Sequence, residues 1–247
     1  MSNTTWIVGI NPVDGALGHD AERVREVRVE RGARNPRVAE LAARARKQGI
    51  AVTEVARDQL ERVAGGARHQ GIAASYAAPE ALSENDLARL AEEAGSEALF
   101  LVLDGVTDPH NLGACLRSAA AASATAVIVP KDRAVGMTPV VRRASAGGAD
   151  RVPLVAATNL ARALRVLKDA GVWLTGFAGE AETDLYDIDL KGPCALVLGS
   201  EGEGMRRLTR ETCDFLARIP MPGEMESLNV SVSAGVALFE ALRQRRA

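Results

Sequence analysis

Three short stretches of the chain gather residue types from which a reacting site can be built. The first, DGVTDPHNLGACLRSAAA from Asp104 to Ala121, sets Asn111, Gly113 and Arg117 in the spacing NxGxxxR. Pro109 and Asn111 suit a turn entering a helix, and Gly113 with Ala114 lets another backbone come close. Arg117 then projects from a helix otherwise made of Ala, Leu, Cys and Ser. The second, GSEGEGM from Gly199 to Met205, holds three glycines in six residues and a carboxylate, Glu201, that could meet a cationic ligand or Arg117. Its glycines at 199, 202 and 204 do not make GxGxxG, and GxxxxGK before Ser or Thr occurs nowhere, so a nucleotide phosphate is poorly supported. The third, ESLNVSVSAGVALFEALRQ from Glu226 to Gln244, opens a helix with Ser227, Leu228, Asn229, Ser231 and Ser233. A helix that merely packs needs one capping side chain. Capping accounts for Ser227 or Asn229 but not both, and the surplus points to a ligand or substrate.

Each stretch follows an apolar run. From Leu99 onward LFLVLDG, AVIVP, RVPLV, VWLTGF, CALVLG and FLARIP alternate with helical segments at Leu112 to Ala122, Asn159 to Ala170 and around Gly204 to Thr212. Short, unalternating apolar strands separated by helices predict a parallel sheet covered on both faces. Ligands of such sheets bind beyond the carboxyl ends of strands, so the three loops are expected to converge on one edge. The last helix carries Val230, Ala234, Leu238 and Leu242 on one stripe. Upstream, WIVGI, VREVRV, a helix from Pro36 to Gln48, IAVTEV, DQLERV and GIAASY alternate strand-like and helical runs. The expected organisation is α/β throughout: a smaller domain at 1–76, a linker with a short helix at 77–95, and a larger domain at 96–247.

Composition narrows the partners. The chain is 47% hydrophobic and 25% charged, a globular balance, and no apolar run approaches the ~20 residues of a membrane span. The start, MSNTTWIVGI, lacks a basic region before an apolar signal core, and Cys115, Cys194 and Cys213 form no CxxC pair. A cytoplasmic protein without disulfides is expected, and three scattered histidines (His19, His69, His110) predict no metal site. Net charge is −2, yet Arg23 to Lys47 holds nine Arg or Lys against three Glu. That local excess fits either phosphate binding or a solvated Arg-rich helix face.

The motifs NxGxxxR (Asn111, Gly113, Arg117), GSEGEG (Gly199 to Gly204) and IPMPGEMESLNVSVSAGVALFE (Ile219 to Glu240) match, in order, those of the SpoU family of RNA ribose 2'-O-methyltransferases. The resemblance covers about Ala98 to Arg245. GINPV near the start and RHQGIAA, Arg68 to Ala74, resemble the L30e-like RNA-binding domain of bacterial 23S ribosomal RNA guanosine methyltransferases. The resemblance implies a SPOUT domain with a trefoil knot near the C-terminus. It also implies S-adenosylmethionine as cofactor, contacted around Gly199, Ile219 and Leu228, with glycine at 199 leaving space for the adenosyl group.

The implied reaction is methylation of a guanosine ribose in 23S ribosomal RNA, in the peptidyl-transferase loop, by a homodimer. Arg117 is implied as the group that helps remove the hydroxyl proton. Arginine resists deprotonation, so a clamp on phosphate and hydroxyl is the alternative role. Asn111 and Glu201 would position Arg117 or substrate, and Ser227 and Asn229 would orient the ribose and the loop. Small residues along the last helix (Ala234, Gly235, Ala237, Ala241) would permit close packing of a second copy. Competing readings are a transfer RNA or antibiotic-resistance methyltransferase of the same family, a non-catalytic RNA-binding assembly factor, and a small-molecule methyltransferase. The last would leave the basic N-terminal stretch without a purpose.

Overall fold

The computed structural model describes residues 4–19, 21–77, 82–223 and 225–246. The chain divides into two compact units, residues 1–80 and 81–247. Unit one contains β1 (Thr4–Val8), α1 (Ile10–His19), β2 (Val24–Glu30), α2 (Pro36–Lys47), β3 (Ala51–Val55), α3 (Arg57–Ala64) and β4 (Ile72–Ala77). Its sheet runs β1-β4-β2-β3, antiparallel except between β2 and β3. Val27, Val29, Ile72 and Ala74 pack under α1 and α2, while Leu60 of α3 closes a smaller cluster with Val55 and Ala73.

Helix α1 departs from the sequence expectation, which ran no helix through INPVDGALGH. Pro12 sits in its first turn, where proline is tolerated because that N–H has no intrahelical partner. The gain that outweighs Gly15 and Gly18 is burial of Ile10, Val13 and Leu17.

Unit two comprises β5 (Leu82–Ser83), α4 (Leu87–Ala94), β6 (Leu99–Asp104), α5 (Pro109–Ala121), β7 (Ala126–Pro130), α6 (Pro139–Ala144), β8 (Leu154–Ala157) and α7 (Leu160–Asp169). It continues with β9 (Trp173–Phe177), β10 (Thr183–Asp184), β11 (Cys194–Gly199), α8 (Arg207–Thr212), β12 (Phe215–Arg218) and α9 (Val230–Arg245). The sheet order is β10-β12-β9-β11-β6-β7-β8-β5, and every pairing is parallel. Alternation explains the unbroken apolar runs. Leu99, Leu101 and Leu103 face α5 and α9, whereas Phe100 and Val102 face α4 and α7. Among the described residues no helix is long and apolar enough to cross a membrane.

Two segments read differently from the sequence expectation. The stretch 82–94, expected within a linker, puts Leu87 and Ala91 into the second unit's core and pairs β5 with β8. The short helix expected there is α4, and its Ala- and acid-rich composition hid only the apolar face that ties it to this core. Helix α6 was not expected, although Thr138 caps it and Pro139 starts it. The small residues of α9 are also used differently. Ala234, Ala237 and Ala241 are fully buried within the chain, and α5 lies close enough that Ser118 is 3.7 Å from where a side chain on Gly235 would begin. Val232 and Phe239 are the exposed apolar residues of this helix.

Candidate active site

The loops after β6, β11 and β12 meet at the carboxyl edge of the sheet. Asp108, not Asn111, caps α5, accepting from the His110 N–H at 2.8 Å, with Pro109 at the first helical position. That leaves the Asn111 amide inside the first turn and free to reach outward. Its Nδ2 donates to Glu201 Oε1 at 3.2 Å.

Glu201 sits at the tip of a loop that closes on itself. Ser200 and Gly204 exchange two backbone hydrogen bonds, and Gly202 and Gly204 take φ of +85° and +69°, a region glycine occupies without strain. Gly199 is required for a reason that the sequence reading did not give. A Cβ there would lie 2.0 Å from the Gly204 carbonyl carbon and 2.2 Å from the Met205 nitrogen, so its missing side chain makes room for the returning loop.

The third loop supplies Asn229, which is both cap and connector. Its Oδ1 accepts from Ser231 N and Oγ at 2.9 and 2.6 Å, and its Nδ2 donates to Glu201 at 2.7 Å and to Asn111 Oδ1 at 3.0 Å. Glu201 Oε1 also accepts from the Val230 N–H at 3.3 Å. One carboxylate oxygen therefore ties the three loops together, and charge-assisted bonds of this type are the strong ones.

A residue pair that the sequence reading passed over holds the loop's exit. Asp104, at the end of β6, accepts from the Arg206 N–H at 2.9 Å and from its Nε at 2.6 Å, and the carboxylate is fully buried. The signal was present: LFLVLD ends a wholly apolar strand in a charge, and such a charge is buried only when paired.

Beside this network lies a cavity of about 880 Å³, whose lining includes Gly199, Met205, Ile219, Ser227, Leu228 and Ser233. Four carboxylates line it (Glu180, Glu201, Glu203, Glu226) against two arginines. Arg210 is paired with Glu180, and Arg218 with Asp184 at 2.7 Å. The remaining field is acidic and suits a cation. Ser227 is exposed in the wall, and its side chain has no hydrogen-bond partner among the described residues. Arg117 is exposed on α5 without an ion pair there, and Glu201 spends its bonds on Asn111, Asn229 and Val230 instead. Among the described residues no cluster of His, Cys, Asp or Glu could hold a metal ion.

Comparison with known proteins agrees with this arrangement. The family described as SpoU rRNA Methylase matches residues 98–239, and that described as RNA 2'-O ribose methyltransferase substrate binding matches residues 6–82. The chain is 60% identical over 240 residues to the 23S rRNA (guanosine-2'-O-)-methyltransferase RlmB of Xylella fastidiosa, spanning 97% of this chain and 96% of that protein. It is 49% identical over 246 residues to the protein of the same name from Pseudomonas putida, spanning 100% and 99%. The crystal structure of the SpoU methyltransferase AviRb from Streptomyces viridochromogenes, in complex with the cofactor AdoMet, superposes with a TM-score of 0.76 at 25% identity, covering 99% of this chain and 91% of that one. By sequence, by fold and by the loops that meet at its sheet edge, the chain belongs to the SpoU rRNA methylase family.

Proposed function

We propose that the protein transfers a methyl group from S-adenosylmethionine to the 2'-hydroxyl of a guanosine in 23S ribosomal RNA. The observation that carries this reading is the Asn111–Glu201–Asn229 network joining three loops beside an acidic cavity. The curated relatives over nearly the whole chain bear names for that activity. When bound, S-adenosylmethionine supplies a methyl group on a positively charged sulfur. The residues present fit it: the cavity is large enough, its unpaired groups are carboxylates, and Ile219 and Leu228 offer apolar walls. Gly199, Ile219 and Leu228 would hold it.

The chain's own task is alignment and proton removal, because an alcohol is a weak nucleophile until its proton begins to leave. Arg117 is exposed and unpaired among the described residues, so its planar fork is available to an RNA phosphate and the ribose hydroxyl together. A guanidinium is protonated at any ordinary pH, which favours the clamp over the base. Asn111, Glu201 and Asn229 would keep the loops in register, and Ser227 would orient the ribose.

The reading extends to a cytoplasmic homodimer with a trefoil knot in the loops after β11 and β12. The exposure of Val232 and Phe239, 49% each, supports a second copy on the α9 face. It also treats residues 1–76 as an L30e-like RNA-binding domain. There Arg28, Arg37 and Arg44 are paired with Glu26 or Asp14, while Arg25, Arg31 and Arg34 have no partner among the described residues and are the candidates for phosphate. The test is ribose-methylation mapping on ribosomal RNA from cells with and without the gene, with single-turnover transfer to an unmodified fragment. Loss of one guanosine 2'-O-methyl mark is expected; an identical map with no transfer in vitro overturns the reading.

A further inference from the structure

The segment 131–151 differs in charge from the cavity after β11 and β12. It carries Lys131, Arg133, Arg142, Arg143 and Arg151 against Asp132 and Asp150, in a chain whose net charge is −2. All five cations are exposed. Only Arg142 is paired, with Asp150 at 2.6 Å; the other four have no partner among the described residues. Arg133 holds φ +58°, a left-handed conformation that an L residue adopts at a cost.

Two close approaches fix this segment beside Arg117. Val135 N donates to Val106 O at 3.0 Å, tying it to the loop that enters α5. Further on, a Cβ on Gly148 would lie 2.8 Å from the Arg117 Cα and 2.9 Å from its nitrogen. Gly113 plays the same part for α6, since a Cβ there would lie 2.4 Å from that of Ala144. The backbone is thus built to bring a cationic segment against the turn that carries Arg117.

The second unit is therefore split in charge: acidic around the cavity after β11 and β12, basic along the crossover from β7 to β8 that packs on α5. A cationic cofactor and a polyanionic strand require that division. We propose that Lys131, Arg133, Arg143 and Arg151 form a phosphate-binding surface on the second unit, which grips the RNA strand beside the modified nucleotide. The proposal rests on the methyltransferase reading and adds to it where the strand runs.

The full-length chain with Arg143→Glu and Arg151→Glu tests it. The comparison variant, Arg165→Glu with Arg207→Glu, changes net charge equally on α7 and α8, of which α7 packs on the sheet face opposite α5. The probe is an in vitro transcribed, unmodified 23S ribosomal RNA fragment, titrated across a salt series, with calorimetric S-adenosylmethionine binding as the check on folding. The 143/151 variant should bind RNA about ten-fold more weakly at low salt. Its log–log salt slope should shrink by about 1.4, roughly 0.7 for each single-strand phosphate that is no longer neutralised. Cofactor affinity should not change. An unchanged slope overturns the proposal and leaves an acidic protein as the segment's partner. An equal loss in the 165/207 variant also overturns it, since net charge alone would then explain the effect. If the wild-type chain transfers no methyl group, the functional reading fails, while the salt slopes still decide whether this surface binds phosphate.

Discussion

At the edge where β6 and β11 begin, Arg245 donates to the carbonyls of Glu97, Ala98, Leu190 and Gly192, at 2.7, 3.0, 3.1 and 2.7 Å. Beside it Gln244 bonds Leu190 N and Ile188 O, and Asp214 takes the Leu174 N–H. Polar groups at this end are taken up by backbone N–H and C=O groups around the starts of the strands. At the opposite end of the same strands, Asn111, Glu201 and Asn229 bond one another yet stay open to solvent, and Arg117 and Ser227 bond no described side chain. The difference teaches how to read a polar residue in this fold. A saturated one closes the structure; one held by its neighbours but still exposed is available to a ligand.

The largest expected effect that would break this contrast is at Arg117. Arg117→Ala should slow methyl transfer by about 10²–10⁴-fold, the usual range for loss of a proton-handling or aligning group. Thermal stability should be unchanged, because no ion pair is removed. Arg117→Lys sharpens the point: nearly as slow as Ala if the fork matters, active with a rate rising with pH if basicity does. Single-turnover kinetics read both, and a wild-type rate in Arg117→Ala would return this residue to the surface.

Arg245→Ala should do the reverse. Stranding several carbonyls at the start of β6 and β11 should destabilise the chain by about 3 kcal/mol, given 1.5–3 for a charged hydrogen bond and the residue's partial exposure. The rate per folded molecule should hold. Urea unfolding beside active-site titration separates the two, and a slow but fully stable variant would blur the distinction between the edges.

Asn229 combines both roles, so Asn229→Ala should lose on both counts. Removing the cap should destabilise α9 by about 1 kcal/mol. Freeing Glu201 from its 2.7 Å donor should also weaken cofactor binding, measured by calorimetry. Unaltered cofactor affinity would mean that the network is not needed to shape the cavity.

The smallest effect lies at Glu240, buried at the closed edge, where the hydrogen bond from Arg243 holds the carboxyl below its ordinary range, helped by Gln244. A depressed folded-state pKa stabilises fully above the unfolded value, near about 4.3, and is lost as pH falls through the folded one. Glu240→Gln should therefore flatten the acid limb of stability below about pH 4 while leaving neutral activity intact. Glu84 and Asp86, also shifted down, keep part of that limb. An acid limb identical to wild type in denaturation scans would remove Glu240 from it.

Much of this molecule is decided within a few residues of chain. Unalternating runs such as LFLVLD and CALVLG specify strands buried on both faces, and the three polar loops follow because each interrupts an apolar segment with groups that packing does not need. What lies at longer range was decided only by tertiary structure. INPVDGALGH is a helix because Ile10, Val13 and Leu17 find a sheet to cover, which outweighs its glycines. Gly199 is glycine because Gly204 returns over it, and Asp104 is buried because Arg206, 102 residues later, comes back to pair with it. The charge that ends LFLVLD signals that a partner is needed, but nothing local names Arg206 or Gly204 as the group that arrives. Local propensity and pattern act over one turn or one strand, whereas loop closure and the burial of a charge depend on which distant backbone the fold brings alongside.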